Sequence, residues 1–328
     1  MKLTVVVPVY GVEKYIARNV RSLFEQTLDS VEYIFVDDCS PDKSMEVLAE
    51  IIDDYRTRLE EKGSVVRTVR MPANSGLAAV RRHGIQLSTG EYIIHCDSDD
   101  WIAECHAYEK MYTKAKEDNL DVVICEYYEG DEHNKVHNRI KTQLENKMLI
   151  EEMLCHLVPV SIWNKMIRAE LFCNKKILYP SNNMGEDFVM TIQIAYYAKR
   201  VGYIHEPLYF YYRNMESITK MHTPSSVYHR YQDMKANIGL VLEFLRREGI
   251  DEQYKDELKV LKEDCRYLLL PLVDDEQYRK EWLTAFDELS YSISDWFNPT
   301  WRKYALRRFL VVTKLYVYFR AIKHLLLN

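Results

Sequence analysis

The sequence predicts an α/β fold, a mixed sheet flanked by helices, with a helical appendage at the C-terminal end. Three observations predict it. Over the first 125 residues short apolar runs alternate with helix-period stretches, the sequence form of consecutive βαβ units. Two of those runs, 31–36 and 91–96, end in clusters of acidic and polar residues, and in open α/β sheets ligands gather at the carboxyl ends of strands. Beyond residue 225 the apolar residues recur only at helical spacing.

The elements follow in order. Residues 3–7 (LTVVV) follow a single lysine and stop at Pro8, far short of a signal-peptide core, so they read as a strand. Ile16, Val20, Leu23 and Phe24 mark a first helix, and Val47, Leu48, Ile51 and Ile52 a second. Residues 31–36, 65–70, 91–96 and 121–125 are further strands, with a helix expected at 104–117. The polar stretch 126–145 is expected as an exposed excursion or a solvent-facing hairpin. A helix over 186–199, a short strand near 202–206 and an aromatic strand at 208–212 (LYFYY) come next. Leu240, Leu242, Phe244 and Leu245, then Leu258, Leu261 and Leu268, build the helical appendage.

Composition narrows the class. The 328 residues are 47% hydrophobic and 29% charged, with only 10 Gly and 9 Pro, which excludes disorder and low-complexity scaffolds. A net charge of -6 gives no domain-wide basic field, so nucleic acid is not an expected partner. The seven cysteines are scattered and never spaced CxxC, which argues against a disulfide framework and for a reducing compartment, the cytoplasm. No run reaches the ~18 apolar residues a membrane span needs. A dehydrogenase of the dinucleotide-binding type would need GxGxxG after its first strand, where only Gly11 stands.

The chemistry concentrates at two strand ends. Asp97-Ser98-Asp99-Asp100 places three carboxylates in four positions, which repel unless a cation or hydrogen-bond donors compensate. Mg²⁺ or Mn²⁺ would bridge such carboxylates to phosphate oxygens; a solvated turn capping the next helix is the other reading. Asp37-Asp38 ends the strand at 31–36, so the two acidic turns line one cleft. Asp38 either accepts from a nucleobase N–H or caps the helix at 43–55, and Tyr10 is either an aromatic face for the base or a core ring. Arg81, after Asn74-Ser75-Gly76, would reach a diphosphate, orient an acidic residue or form a surface ion pair.

The set Val7-Pro8-Val9-Tyr10, Val36-Asp37-Asp38-Cys39-Ser40, Asn74-Ser75-Gly76-Leu77-Ala78-Ala79-Val80-Arg81, Gly90-Glu91-Tyr92-Ile93, Asp97-Ser98-Asp99-Asp100 and Gly185-Glu186-Asp187 resembles glycosyltransferase family 2 over residues 1–217. The resemblance implies a GT-A fold and transfer from a nucleotide-diphosphate sugar, a UDP-sugar first, to a saccharide or lipid-linked saccharide. It implies that Pro8, Val9 and Tyr10 lie beside the uracil and that Asp38 pairs with its imide N–H. Asn74, Gly76, Arg81 and Ser98 join the donor pocket, Asp97 faces the ribose or donor sugar, Asp99 holds Mg²⁺ or Mn²⁺, Asp187 is the base, and Glu186 beside it is a candidate for acceptor or phosphate contact. Inverting transfer needs one carboxylate to deprotonate the acceptor and one Lewis acid on the leaving group, which agrees. Arg82 and His83 depart from the family, which has Asn after this Arg.

Trp163-Asn164-Lys165 resembles the acceptor-side motif of capsule and exopolysaccharide members of the family, in which Trp163 would offer a stacking face, unless it is a core ring, and Lys165 would donate to hydroxyls or phosphate. Tyr212-Arg213 with Ser217 matches a loop that closes over the donor, making Arg213 a second phosphate ligand. The division expected is a catalytic domain at 1–222, with a nucleotide half (1–100) and an acceptor half (101–222), followed by a helical region at 223–328. After Asp295 there is no acidic residue, yet seven Lys and Arg interleave with aromatics, so a tail helix at 300–328 would lie on the inner face of the cytoplasmic membrane or pack on the protein itself or a partner subunit. A catalytically silent saccharide-binding protein and a sugar nucleotidyltransferase are the rival functions. Donor sugar, acceptor and oligomeric state, homo-oligomer included, stay open.

Overall fold

The structure, a computed structural model, describes residues 1–131, 133–141, 149–173, 176–214, 223–286, 288–316 and 318–319. Its centre is β1 (Leu3–Val9), which pairs in parallel with β2 (Val31–Asp37) on one side and β4 (Tyr92–His95) on the other; β3 (Val65–Arg70) continues the parallel set beyond β2. Every residue of β1 and β2 is buried, as expected of strands covered on both faces. The helices α1 (Ile16–Phe24), α2 (Ser44–Glu61) and α3 (Leu77–Leu87) make the crossovers.

Past β4 the sheet becomes mixed. Two strands too short to carry a periodic signal, β5 (Trp101–Ile102) and β8 (Lys165–Arg168), are absent from the sequence reading. The first is the edge strand, antiparallel to β9 (Val201–Tyr212); β8 joins β4 to β6 (Val122–Gly130), antiparallel to both. The helix α4 (Ala107–Glu117) lies between β5 and β6 in sequence. The stretch expected as an excursion or hairpin from 126 continues β6 and returns as β7 (Lys135–Asn138), a hairpin. It is not wholly solvent-facing, because Glu126 is buried between His137 (2.6 Å) and His205 (3.2 Å). The two strands expected at 202–206 and 208–212 are one: a register shift between β6 and β9 at Cys125 to Tyr127 accommodates Pro207, which lacks an N–H for the ladder.

Alternate residues of β1 feed two cores, as the period of two requires. Val5 and Val7 pack with Val20, Phe24 and Met111 on the face of α1, α2 and α4. Val6 faces the other way, against Gly84 of α3, in a core that runs through Ile93 and Ile124 to the helix α7 (Glu186–Tyr197), beside which lie the short α5 (Leu149–Leu154) and α6 (Ala169–Phe172). The C-terminal helices α8 (Pro224–Arg247), α9 (Lys255–Leu269), α10 (Glu276–Thr284) and α11 (Arg302–Val312) extend that same core through Val241, Phe244, Leu269, Trp282 and Val311. Of the tail expected as a helix at 300–328, residues 317 and 320–328 lie outside the described residues.

Candidate active site

The carboxyl ends of β1, β2 and β4 open into the cleft anticipated from the acidic turns. Pro8 and Val9 are buried within β1, while Tyr10, one residue past its end, is half exposed and so is no core ring. Asp38 caps no helix: its carboxylate accepts the N–H groups of Ser75 (2.7 Å) and Gly76 (2.8 Å), and the N-cap of α2 is Lys43. Asp38 thus shapes the loop that carries exposed Asn74 and opens α3, and each of its oxygens keeps a second lone pair. Gly76 has φ +83°, a conformation strained for any other residue, and a Cβ there would also stand 2.5 Å from the Asn183 side-chain oxygen and displace it.

The Asp97–Asp100 turn divides its labour. Asn19, on α1, donates its amide to the carbonyls of Asp97 and Asp100, both at 2.9 Å, and so holds the turn. Asp100 is buried and accepts from the Tyr209 hydroxyl (2.6 Å) and the Tyr212 N–H (2.7 Å), so it ties the turn to β9. Burial first, then the Asp99 and Asp97 charges, pushes the Asp100 carboxyl well above the usual carboxylate range. Ser98 is buried as well. Asp99 accepts from the Asn214 amide (3.0 Å); burial and then Asp97 raise its pKa. Arg18 stacks 3.6 Å over Trp101 and donates to the Asp99 carbonyl at 3.3 Å.

Arg81 is the hub. Buried on α3, it donates to Asp97 at 2.5 Å through one terminal nitrogen and to both Glu186 and Asp187 through the other. Of the roles foreseen for it, orienting acidic residues is the one its contacts display. Glu186 and Asp187 occupy the first turn of α7, entered through Gly185 in the left-handed region (φ +83°). Burial raises the pKa of Asp187 against the pull of Arg81, and burial followed by the Asp187 charge drives Glu186 well above its ordinary value. Asp187 also accepts the Ile162 N–H (3.2 Å), and Thr191 donates to the carbonyls of Val160 and Asp187, both at 2.8 Å, fastening the 160–162 turn to α7.

Of Trp163, Lys165 and Arg213 on the acceptor side, the first two turn inward. Lys165 does not reach the cleft: it is buried and donates to the carbonyls of Pro159 and Ser161 (both 2.6 Å) and to Asn164 (2.8 Å), binding a turn rather than a ligand. Trp163 is 7% exposed, stacked on Tyr209 (4.4 Å) and Tyr211 (5.6 Å), so it packs in the core. Arg213 pairs with Glu129 at 3.1 Å across the β6–β9 ladder. Ser217 lies outside the described residues. The reading from sequence missed Arg18, Asn19, Asn183 and Asn214. Only Asn19 left a signal, as a polar residue within the apolar stripe Ile16, Val20, Leu23 of α1.

The sequence pattern described as Glycosyl transferase family 2 matches residues 4–190. The chain is 29% identical over 278 residues to the uncharacterized glycosyltransferase EpsJ of Bacillus subtilis (strain 168), covering 81% of this chain and 76% of that one. Among solved structures, S. aureus TarS 1-349 in complex with UDP-GlcNAc superposes with a TM-score of 0.59 at 21% identity, over 85% of this chain and 83% of that one. Mannosyltransferase PcManGT from Pyrobaculum calidifontis, in complex with GDP-Man and Mn²⁺, gives 0.52 at 15% identity over 99% and 87%. At such identities the structural likeness speaks for the fold alone, and that fold is GT-A. Because the family's pattern spans more than half of the chain, including both acidic turns, Arg81 and the start of α7, the protein belongs to glycosyl transferase family 2 and is a glycosyltransferase.

Proposed function

We propose that the chain transfers a hexosyl or N-acetylhexosaminyl group, with inversion, from a UDP-sugar to a hydroxyl of a saccharide or lipid-linked saccharide in the synthesis of cell-surface polysaccharide. One observation carries the reading: the Arg81 guanidinium joins Asp97, at the end of β4, to Glu186 and Asp187, at the start of α7. The carboxylate assigned to the donor and the one assigned to the acceptor therefore stand across a single cation. The TarS complex with UDP-GlcNAc supports the choice of uridine.

In this reading Tyr10 stacks on the uracil, Asp38 accepts its imide N–H, and Asp97 accepts from a hydroxyl of the ribose or donor sugar. Asp99 is the protein ligand for Mg²⁺ or Mn²⁺. The fit is chemical: burial and Asp97 disfavour a bare charge on Asp99, a pressure that a hard cation relieves. Among the described residues no three His, Cys, Asp or Glu side chains form a metal cage, so the remaining ligands would be phosphate oxygens and water. When bound, the ion would neutralise charge growing on the leaving diphosphate. Asp187 takes the proton of the acceptor hydroxyl, whose oxygen forms the new bond to the anomeric carbon as the bond to the diphosphate oxygen breaks on the opposite face. Arg81 and the Ile162 N–H hold Asp187 in line for that proton.

The test is a panel of UDP-, GDP- and dTDP-sugars assayed for nucleotide release with Mn²⁺, Mg²⁺ or chelator. Metal-dependent release of UDP is expected, with turnover lowered about 10² to 10⁴-fold in Asp187→Asn while donor binding persists. Release of pyrophosphate when a nucleoside triphosphate and a sugar 1-phosphate are supplied instead would make the protein a nucleotidyltransferase, and no binding of any nucleotide would make it a silent saccharide binder.

A further inference from the structure

Among the described residues, nine of the fourteen large apolar side chains that stand exposed lie between Ile293 and Phe319. A soluble surface scatters such residues singly, so this concentration calls for an occupant. Two pieces of backbone build it. The one-turn 3₁₀ helix Ile293–Trp296 presents Ile293 and then Phe297, which are 82% and 83% exposed. The solvent face of α11 runs Arg302, Leu306, Phe309, Thr313, the i, i+4, i+7, i+11 stripe that an ordinary surface helix fills with charge. Trp296 meets Phe309 edge-on, with ring centroids 5.8 Å apart, so the two pieces form one patch.

Charge says what the occupant is. From Trp296 to the last residue there is no Asp or Glu, against Arg302, Lys303, Arg307, Arg308, Lys314, Arg320 and Lys323. With the whole chain at -6, the remainder is strongly acidic. Exposed Arg302 and Lys303 flank the apolar stripe. Basic residues beside Trp, Phe and Leu, on a helix too short and too polar to cross a bilayer, suit the headgroup boundary of a membrane. A second copy of the chain fits less well: patch against patch, as a two-fold dimer requires, would set Arg302 and Lys303 of one copy against the same cations of the other.

We propose that the Ile293–Phe297 turn and the solvent face of α11 form a docking surface for an anionic lipid bilayer. Insertion of Phe297 and Phe309 supplies the apolar contact, and Arg302 and Lys303 supply the preference for acidic headgroups. The inference stands apart from the choice of donor and acceptor, and its test needs no turnover.

The full chain is sedimented with vesicles of phosphatidylcholine alone or mixed equally with phosphatidylglycerol, at low and high salt. Binding to the mixed vesicles that weakens with salt is expected. Phe297→Ser with Phe309→Ser should cut the partition by about tenfold or more, and Arg302→Ser with Lys303→Ser by about fivefold per charge removed. Both pairs are exposed, so unchanged melting curves would certify the fold. No binding, or equal binding of both vesicle types, would overturn the proposal. Light scattering that shows an oligomer in the wild type and a monomer in the double Phe variant would reassign the surface to a second copy.

Discussion

At the scale of single residues the cleft is a store of unfavourable charge. Asp99, Asp100, Glu186 and Asp187 all have raised pKa values, and burial is the first cause in each. A carboxyl raised in the folded state keeps its proton at a pH where the unfolded chain has lost it. Its contribution is therefore most favourable in acid and is lost as pH rises from the ordinary value, 3.8 for Asp99, through the raised one. Asp99→Asn removes one such group without removing its ability to accept from Asn214. In chelator at neutral pH this variant should be more stable than the wild type by roughly 1 kcal/mol, about 2 °C in Tm, with the gap closing below pH 4. The same variant should lose metal-dependent donor binding. Thermal melts across pH decide it: a variant less stable than the wild type at neutral pH would mean that Asp99 is already compensated by the protein. Acidic pairs at strand ends are visible in a sequence. Which acid serves the cleft and which the scaffold is not, since Asp97 and Asp100 differ only in what Arg81 and Tyr209 reach.

At the scale of elements the 159–165 turn shows how a ligand-like residue becomes a positioning one. Burial pushes the Lys165 ammonium down to about 7, yet it has three acceptors, one for each N–H, which holds it in the charged form. Those bonds set the turn that presents the Ile162 N–H to Asp187. Lys165→Met should leave two carbonyls unsatisfied and cost about 2 to 4 kcal/mol in urea unfolding. Where the variant stays folded, kcat should fall while KM for the donor holds, because the base and not the donor pocket is displaced. A raised KM for acceptor or donor with kcat intact would return Lys165 to the acceptor-side or phosphate-binding role that the sequence suggested. Helices with a full apolar stripe, such as α1 and α9, were legible from spacing. The short strands β5 and β8 were not, since two to four residues hold no period and owe their strand geometry to β9, β4 and β6.

At the scale of the whole molecule the sheet has two covers of different origin. One face is closed by α1, α2 and α4, all within the first 117 residues; the other is closed by α3 over β1 and β2 and by α7, on which α8 to α11 build outward. A chain ending at residue 222 would bare the side of α7 that Met234 and Phe244 cover at Gly185, Tyr196 and Tyr197, and we expect it to aggregate or to melt without a cooperative transition. A soluble fragment with the wild-type Tm would show that the C-terminal helices are an independent unit. The amino-acid sequence by itself determined the order of the longer strands and helices, the two acidic turns and the loop at Gly76. Hydrophobic period, polar strand ends and backbone chirality are local properties, written in consecutive residues. Tertiary structure alone decided that Arg81 gathers Asp97, Glu186 and Asp187, that Asp38 shapes a loop instead of capping a helix, and that Trp163 and Lys165 turn inward. Those outcomes depend on contacts between residues up to 106 positions apart, such as Arg81 with Asp187, which no local pattern encodes because they arise only when the sheet brings its strand ends to one edge.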